Sequence, residues 1–229
     1  MIKLENVTKQ YLTGNTALDD VSFSIGRGEF VFVVGPSGSG KTTLFRLLIR
    51  DAVPTSGSIH IGDWDLVKLP KKKIHHLRKN IGVVFQDLKL LRDRTIYENI
   101  MFPLEVGNID TKEARERVEA IIERVGIVEH RDKFPIQLSG GELQRAAIAR
   151  ALAFSPEILL ADEPTGNLDN ATSWEIVKLL QDINASGTTI IMATHNADIV
   201  NSLQKRTLIL EKGKLKKDQE ENKEKKTSE

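Results

Sequence analysis

Gly35-Pro36-Ser37-Gly38-Ser39-Gly40-Lys41-Thr42-Thr43 fits the pattern G-x-x-x-x-G-K-[ST] at every fixed position. Glycines at that spacing let successive backbone N–H groups converge on phosphate oxygens, and the helix that follows adds unpaired N–H groups at its positive end. Lys41 would reach the β- and γ-phosphates and Thr42 would place its hydroxyl on Mg²⁺, so the chemistry offered is the binding of a nucleoside triphosphate. Asp162 and Glu163 end an apolar run further on. Asp162 suits a magnesium ion held through water, and Glu163 can take a proton from an attacking water. Gln86 and His195 each end another apolar run, where an amide can coordinate Mg²⁺ or a water and an imidazole can hydrogen-bond a γ-phosphate.

A second glycine stretch, Leu138-Ser139-Gly140-Gly141-Glu142-Leu143-Gln144, opens a helix over Arg145 to Ala153. Ser139 and Glu142 fit the S-x-x-E capping box. Two glycines in a first helical turn cost about 1 kcal/mol each relative to alanine, which makes sense where something must approach the backbone closely. This is a second anion-binding helix start, or else an ordinary capped helix. Tyr11, ahead of the Thr13-Gly14-Asn15 turn, is either a strand-edge tyrosine or a ring that stacks on a purine. His60, His75, His76 and His130 lack metal-ligand spacing and read as surface.

The elements that position these residues follow from periodicity. Phe30–Val34 has no polar alternation, as expected of a parallel strand covered on both faces, and Leu44 to Arg50 continues as a helix. Ile81–Phe85, Ile158–Ala161 and Thr188–Ala193 read as three more buried strands. Ile2 to Val7, with Ile2, Leu4 and Asn6 on one face, and Val21, Phe23 and Ile25 alternating with serines, read as half-buried antiparallel strands. Ser58–Ile61 is a short strand, Lys71 to Asn80 a basic surface helix, and Arg206 to Leu210 a last strand.

From Asp87 to Phe154 the pattern is helical. Val118, Ile121, Ile122 and Val125 form one face between Asp110 or Thr111 as start and Gly126 as stop. Asn170 is placed to cap the helix carrying Trp174, Ile176, Val177, Leu179, Leu180 and Ile183, with Gly187 closing it in a position suited to αL. Leu88, Leu90 and Leu91 lie among charges without a period, as a satellite core or a patch for a partner. Lys212 to Glu229, with Leu215 as its one apolar residue, is expected to be a disordered tail.

With 229 residues, Lys+Arg 33, Asp+Glu 32 and a net charge of +1, no global field draws the chain to nucleic acid. The absence of cysteine removes disulfides and thiolate metal sites. The first residues, Met1 to Asn6, lack a signal-peptide core, and no run approaches the ~18 apolar residues of a membrane span. A cytosolic chain whose membrane role comes from a partner is expected.

Taken in order, Tyr11, Lys41-Thr42, Gln86, Leu138-Ser139-Gly140-Gly141-Glu142, Asp162-Glu163, Asp169 and His195 resemble the ATP-binding cassette (ABC) ATPases over about residues 1–214. The resemblance implies an α/β P-loop NTPase with a mostly parallel core sheet, an N-terminal antiparallel β subdomain and a helical subdomain inserted at about 87–155. Residues 215–229 fall outside it. It implies that Tyr11 stacks on adenine, that Gly35 to Thr43 hold the phosphates of ATP, and that Thr42, Gln86 and Asp162 arrange Mg²⁺. It makes Glu163 the general base and His195 the γ-phosphate contact. Ser139, Gly140 and Gly141 would meet ATP held by a second copy, in a head-to-tail homodimer formed with ATP. The usual signature has glutamine where this chain has Glu142; the capping box accepts either, and a carboxylate changes the local charge.

The run Ala161-Asp162-Glu163-Pro164-Thr165-Gly166-Asn167-Leu168-Asp169 resembles the branch with lipoprotein-release, macrolide-efflux and cell-division ATPases. Phe85-Gln86-Asp87, Leu90-Leu91, Asp93-Arg94-Thr95 and Tyr97-Glu98-Asn99 are most similar to the FtsE family of cell-division ATP-binding proteins. That implies a place on the cytoplasmic face of the membrane beside an integral partner of the FtsX type, with cell-wall hydrolases activated outside. Leu88, Leu90 and Leu91 are the expected docking residues. Lipoprotein or macrolide export is the alternative. DNA-repair cassettes carry long coiled-coil arms that the interval from Gln86 to Ser139 is too short to hold.

Overall fold

The computed structural model describes residues 1–221. In chain order its elements are strands β1 (Ile2–Gln10), β2 (Thr16–Ile25) and β3 (Phe30–Val34), helix α1 (Lys41–Leu48), strands β4 (Ser56–Ile61) and β5 (Trp64–Asp65), helix α2 (Ile74–Lys79) and strand β6 (Ile81–Val84). Helices α3 (Ile96–Val106), α4 (Thr111–Val125) and α5 (Gly140–Ala151) follow, then β7 (Ile158–Asp162), α6 (Asn170–Ala185), β8 (Thr189–Ala193), α7 (Ala197–Leu203), β9 (Arg206–Glu211) and β10 (Lys214–Gln219). They form an α/β protein with one antiparallel sheet and one mixed, mostly parallel sheet. Two compact units result: Met1–Arg78 with the residues from Thr189 onward, and Lys79–Thr188.

In the first unit the antiparallel strands run in the order β2-β1-β4-β5. The alternation expected of β1 breaks at Asn6. Leu4 pairs with Phe23 and Val7 with Val21, so one extra residue sits in β1; Asn6 takes φ 50 and Val7, not Asn6, joins Ile2 and Leu4 in the core. The bulge is held by Asn6 N donating to Ser22 Oγ at 2.8 Å and Asn6 Nδ2 to Asp20 Oδ1 at 2.9 Å.

β3 lies parallel between β8 and β9, with Val33 opposite both Ala193 and Leu208. Coverage on both faces explains its unbroken apolar run. β10 corrects the expected tail. Glu211 pairs with Lys214 across Lys212 (φ 47) and Gly213 (φ 79), a two-residue hairpin turn, and the Arg206 guanidinium holds Asp218 at 2.7 Å. Its charged side chains suit a strand at a sheet edge. The remainder of the expected tail, residues 222–229, lies outside the described residues.

In the second unit β6 and β7 are parallel, with Val84 opposite Ala161, and α3, α4 and α5 pack on one another. α4 keeps its expected limits: the Asp110 carboxylate accepts from Lys112 N at 2.9 Å and Gly126 closes the helix at φ 72. Its face of Val118, Ile121, Ile122 and Val125 is buried, each side chain contributing roughly 1.5–3 kcal/mol. α5 begins at Gly140, earlier than Arg145, because Ser139 is its N-cap. α6 is capped by Asp169, not Asn170: the Asp169 carboxylate accepts from Thr172 N at 3.0 Å and from the Thr172 hydroxyl at 2.6 Å. Among the described residues no helix is long and apolar enough to cross a membrane.

Candidate functional site

The first unit carries the lysine loop. It leaves the carboxyl end of β3 and enters α1, and two of its glycines are demanded by the chain itself. At Gly35 (φ 154) an added Cβ would stand 2.1 Å from the Leu210 carbonyl oxygen, and at Gly40 (φ 110) 2.5 Å from that of Ala17. Lys41 is buried, its ammonium donating to the carbonyls of Gly35 at 2.6 Å and Pro36 at 3.2 Å. The side chain therefore lies across its own loop. Ser39 Oγ is buried without a hydrogen-bond partner among the described residues, an orphan that a polar ligand on this loop would satisfy.

Tyr11 directly follows β1, which ends at Gln10. Its hydroxyl lies 3.3 Å from Thr43 Oγ1, and Lys9 Nζ stands 5.2 Å from the ring centroid. His195 is exposed just past β8, the strand paired to β3, so it and the lysine loop leave the carboxyl ends of adjacent parallel strands.

The second unit repeats that arrangement on its own pair of strands. Gln86 is exposed beyond the end of β6, and Asp162 ends β7, its parallel neighbour, with Glu163 directly after it. Asp162 is buried; Glu163 is half-buried at φ 49, an uncommon conformation for a residue with a side chain. The amide oxygen of Gln86 and the carboxylate of Asp162 are oxygen donors, the kind that a hard cation such as Mg²⁺ takes, and in the first unit the hydroxyl of Thr42 is another.

At the start of α5 the capping box is complete. Glu142 Oε2 accepts from Ser139 N at 2.7 Å while Ser139 Oγ accepts from Glu142 N at 3.5 Å. Donation from the Ser139 backbone N–H, with the Ser139 hydroxyl second, holds the Glu142 carboxyl below its ordinary pKa. The turn opens on a cavity of about 360 Å³ lined in part by Ser139, Gly140, Gly141, Asn167 and Asp169. The glycines also answer to packing within the chain. A Cβ at Gly141 would meet Thr172 Cγ2 at 2.5 Å, and one at Gly140 would meet Leu168 Cδ2 at 3.1 Å. A helix start with open N–H groups and a cavity before it can receive an anion.

Two residues that organise the leucine segment escape sequence reasoning. Asn99 is fully buried; its amide donates to the carbonyls of Leu91, Arg94 and Thr95 and its oxygen accepts from Leu91 N at 2.7 Å. Arg150 donates to the carbonyls of Leu88 and Lys89, both at positive φ, and burial lowers its pKa. Leu88, Leu90 and Leu91 are half-buried on a loop fixed by α3 and α5. The available signal was Asn99 standing on the buried stripe of Ile96, Ile100 and Leu104. His130, read as surface, is half-buried with Nε2 3.0 Å from Glu142 Oε1.

The family model described as ABC transporter matches residues 18–166. The chain belongs to the ABC transporter family. Within that family it is 48% identical over 219 residues to the cell division ATP-binding protein FtsE of Streptococcus pneumoniae, covering 96% of this chain and 95% of the relative. FtsE of Bacillus subtilis is 46% identical over 219 residues, covering 96% of each. Among solved structures, a dimeric ATP-binding cassette in a post-hydrolysis state, bound to ADP and Pi, superposes with a TM-score of 0.87 at 35% identity over 97% of this chain and 99% of that one.

Proposed function

We propose that this ABC family chain is the ATP-hydrolysing motor subunit of a membrane complex of the FtsE type, acting in cell division. The observation that carries the reading is its near-full-length similarity to FtsE proteins of several bacteria, at 43% to 48% identity. Those relatives favour cell division over lipoprotein or macrolide export.

ATP is held by the loop Gly35 to Thr43, with Lys41 moving from the Gly35 and Pro36 carbonyls onto the β- and γ-phosphates and Tyr11 against the adenine. Thr42, Gln86 and Asp162 would hold Mg²⁺, which neutralises charge on the phosphate oxygens. Glu163 accepts the proton of the attacking water, and His195 contacts the γ-phosphate. One chain has two phosphate-type helix starts, of which only that at α1 has a lysine. The start of α5 therefore serves ATP carried by a second copy, and two copies close head to tail around two nucleotides. Closure and opening pass through the segment of Leu88, Leu90 and Leu91 to an integral partner of the FtsX type at the cytoplasmic face of the membrane, which activates cell-wall hydrolases outside.

Purification with the membrane protein it binds, followed by phosphate-release assays with and without that partner, tests this reading. An FtsX-like partner and ATP hydrolysis are expected. An export permease in its place, or no phosphate release in either preparation, would contradict it.

A further inference from the structure

We propose that His130 is a positioning residue for the glycine turn of α5, held as the neutral tautomer with its proton on Nε2 and acting through Glu142. Its consequence for ATP turnover rests on the function proposed above. Lys133 Nζ lies 3.0 Å from His130 Nδ1, and His130 Nε2 lies 3.0 Å from Glu142 Oε1. An ammonium has only donors, so Nδ1 accepts; a carboxylate only accepts, so Nε2 donates. The two contacts together select one tautomer. Because Glu142 Oε2 takes the N–H of Ser139 at 2.7 Å, His130, itself held by Lys133, and the Ser139 backbone N–H meet on one carboxylate beside the N-cap of α5.

The turn that carries the imidazole is anchored. His130 closes a single 3-10 turn, Val128–His130, and the residues after it are tied to α3, with Tyr97 N donating to Arg131 O at 2.8 Å and Ile96 N to Lys133 O at 2.9 Å. Neighbouring charges are engaged elsewhere: Arg131 with Glu119 and Asp132, and Arg145 with Glu175. Lys133 and Glu142 are thus the charged groups that touch the ring among the described residues. A bare carboxylate at a helix start that receives a phosphate would oppose it electrostatically. His130 relays the Lys133 charge to that carboxylate and fixes the rotamer in which it caps the helix. This chain thereby tolerates glutamate at a position where a neutral glutamine needs no such neighbour.

The test uses the full chain. Nitrogen-detected NMR of its histidine rings should show His130 with Nε2 protonated and Nδ1 bare at neutral pH; the opposite tautomer or an imidazolium would overturn the proposal. In parallel, His130→Ala should raise the KM for ATP about tenfold in the Glu142 chain and less than about twofold in a Glu142→Gln background, a coupling of the size expected for residues in one hydrogen-bond network. His130→Gln, which can accept from Lys133 and donate to Glu142, should restore most of the loss. Equal losses in both backgrounds, or no rescue, would make His130 a packing residue only. If no chain, unmodified included, hydrolyses ATP, the functional reading fails; the tautomer and the same cycle read as thermal midpoints still decide the role of His130.

Discussion

Glu163 follows the last residue of β7 in a left-handed conformation that costs on the order of 1–3 kcal/mol and that the surrounding structure must hold. If it is the general base, Glu163→Gln should keep ATP affinity by calorimetry while phosphate release falls ~10²- to 10⁴-fold. Hydrolysis at the unmodified rate would remove it from the mechanism. Among the carboxylates that cap helices are Glu142 and Asp169. Hydrogen bonds from Ser139 hold Glu142, and those from Thr172 hold Asp169, below the ordinary carboxylate pKa. Groups depressed in the folded state contribute stability above their unfolded pKa and lose it as pH falls through the folded one. Thermal midpoints should therefore drop on acidification into the carboxylate range, with a shallower drop in Glu142→Gln; identical profiles would contradict this. The candidate chemical residues could be proposed from sequence because phosphate constrains their types and spacing. Asp169 and His130 were not, since choosing between adjacent capping residues and seeing a histidine reach across turns both need coordinates.

Elements carry the glycine motif and the leucine loop proposed for docking. A Cβ at Gly141 would collide with Thr172 Cγ2, a stiff β-branched methyl on α6. Gly141→Ala should cost about 1–3 kcal/mol by overpacking, and Thr172→Ser should recover part of it; calorimetric unfolding of the pair and the singles checks this. No recovery would place the strain elsewhere. The leucine loop hangs from Asn99 and Arg150, so Leu91→Asp should abolish capture of the membrane partner in a pull-down while circular dichroism stays unchanged. Full retention would move the docking surface. Most elements could be read from periodicity, as with β3 and α4. The β1 bulge could not, because a single inserted residue with φ 50 leaves the apolar pattern one step out of phase. β10 was hidden by its charges, although Lys212-Gly213 marks a turn, because an edge strand stabilised by an Arg206–Asp218 pair shows little apolar alternation.

For the whole molecule the decisive feature is division of labour. Lys41 and its loop serve one helix start, and the capped glycines of α5 form another with a cavity but no lysine. Under the function proposed above, a chain built this way completes its chemistry by borrowing the second start from a copy of itself. Similarity to a solved cassette dimer over nearly the full length supports that arrangement. The direct measurement is ATPase activity per chain across a dilution series at saturating ATP. Specific activity should fall as chains are diluted below their association range and return when Glu163→Gln chains, carrying intact α5 starts, are added to the dilute sample. Constant activity per chain down to the lowest concentration would mean that one copy suffices and that the shared-site account is wrong.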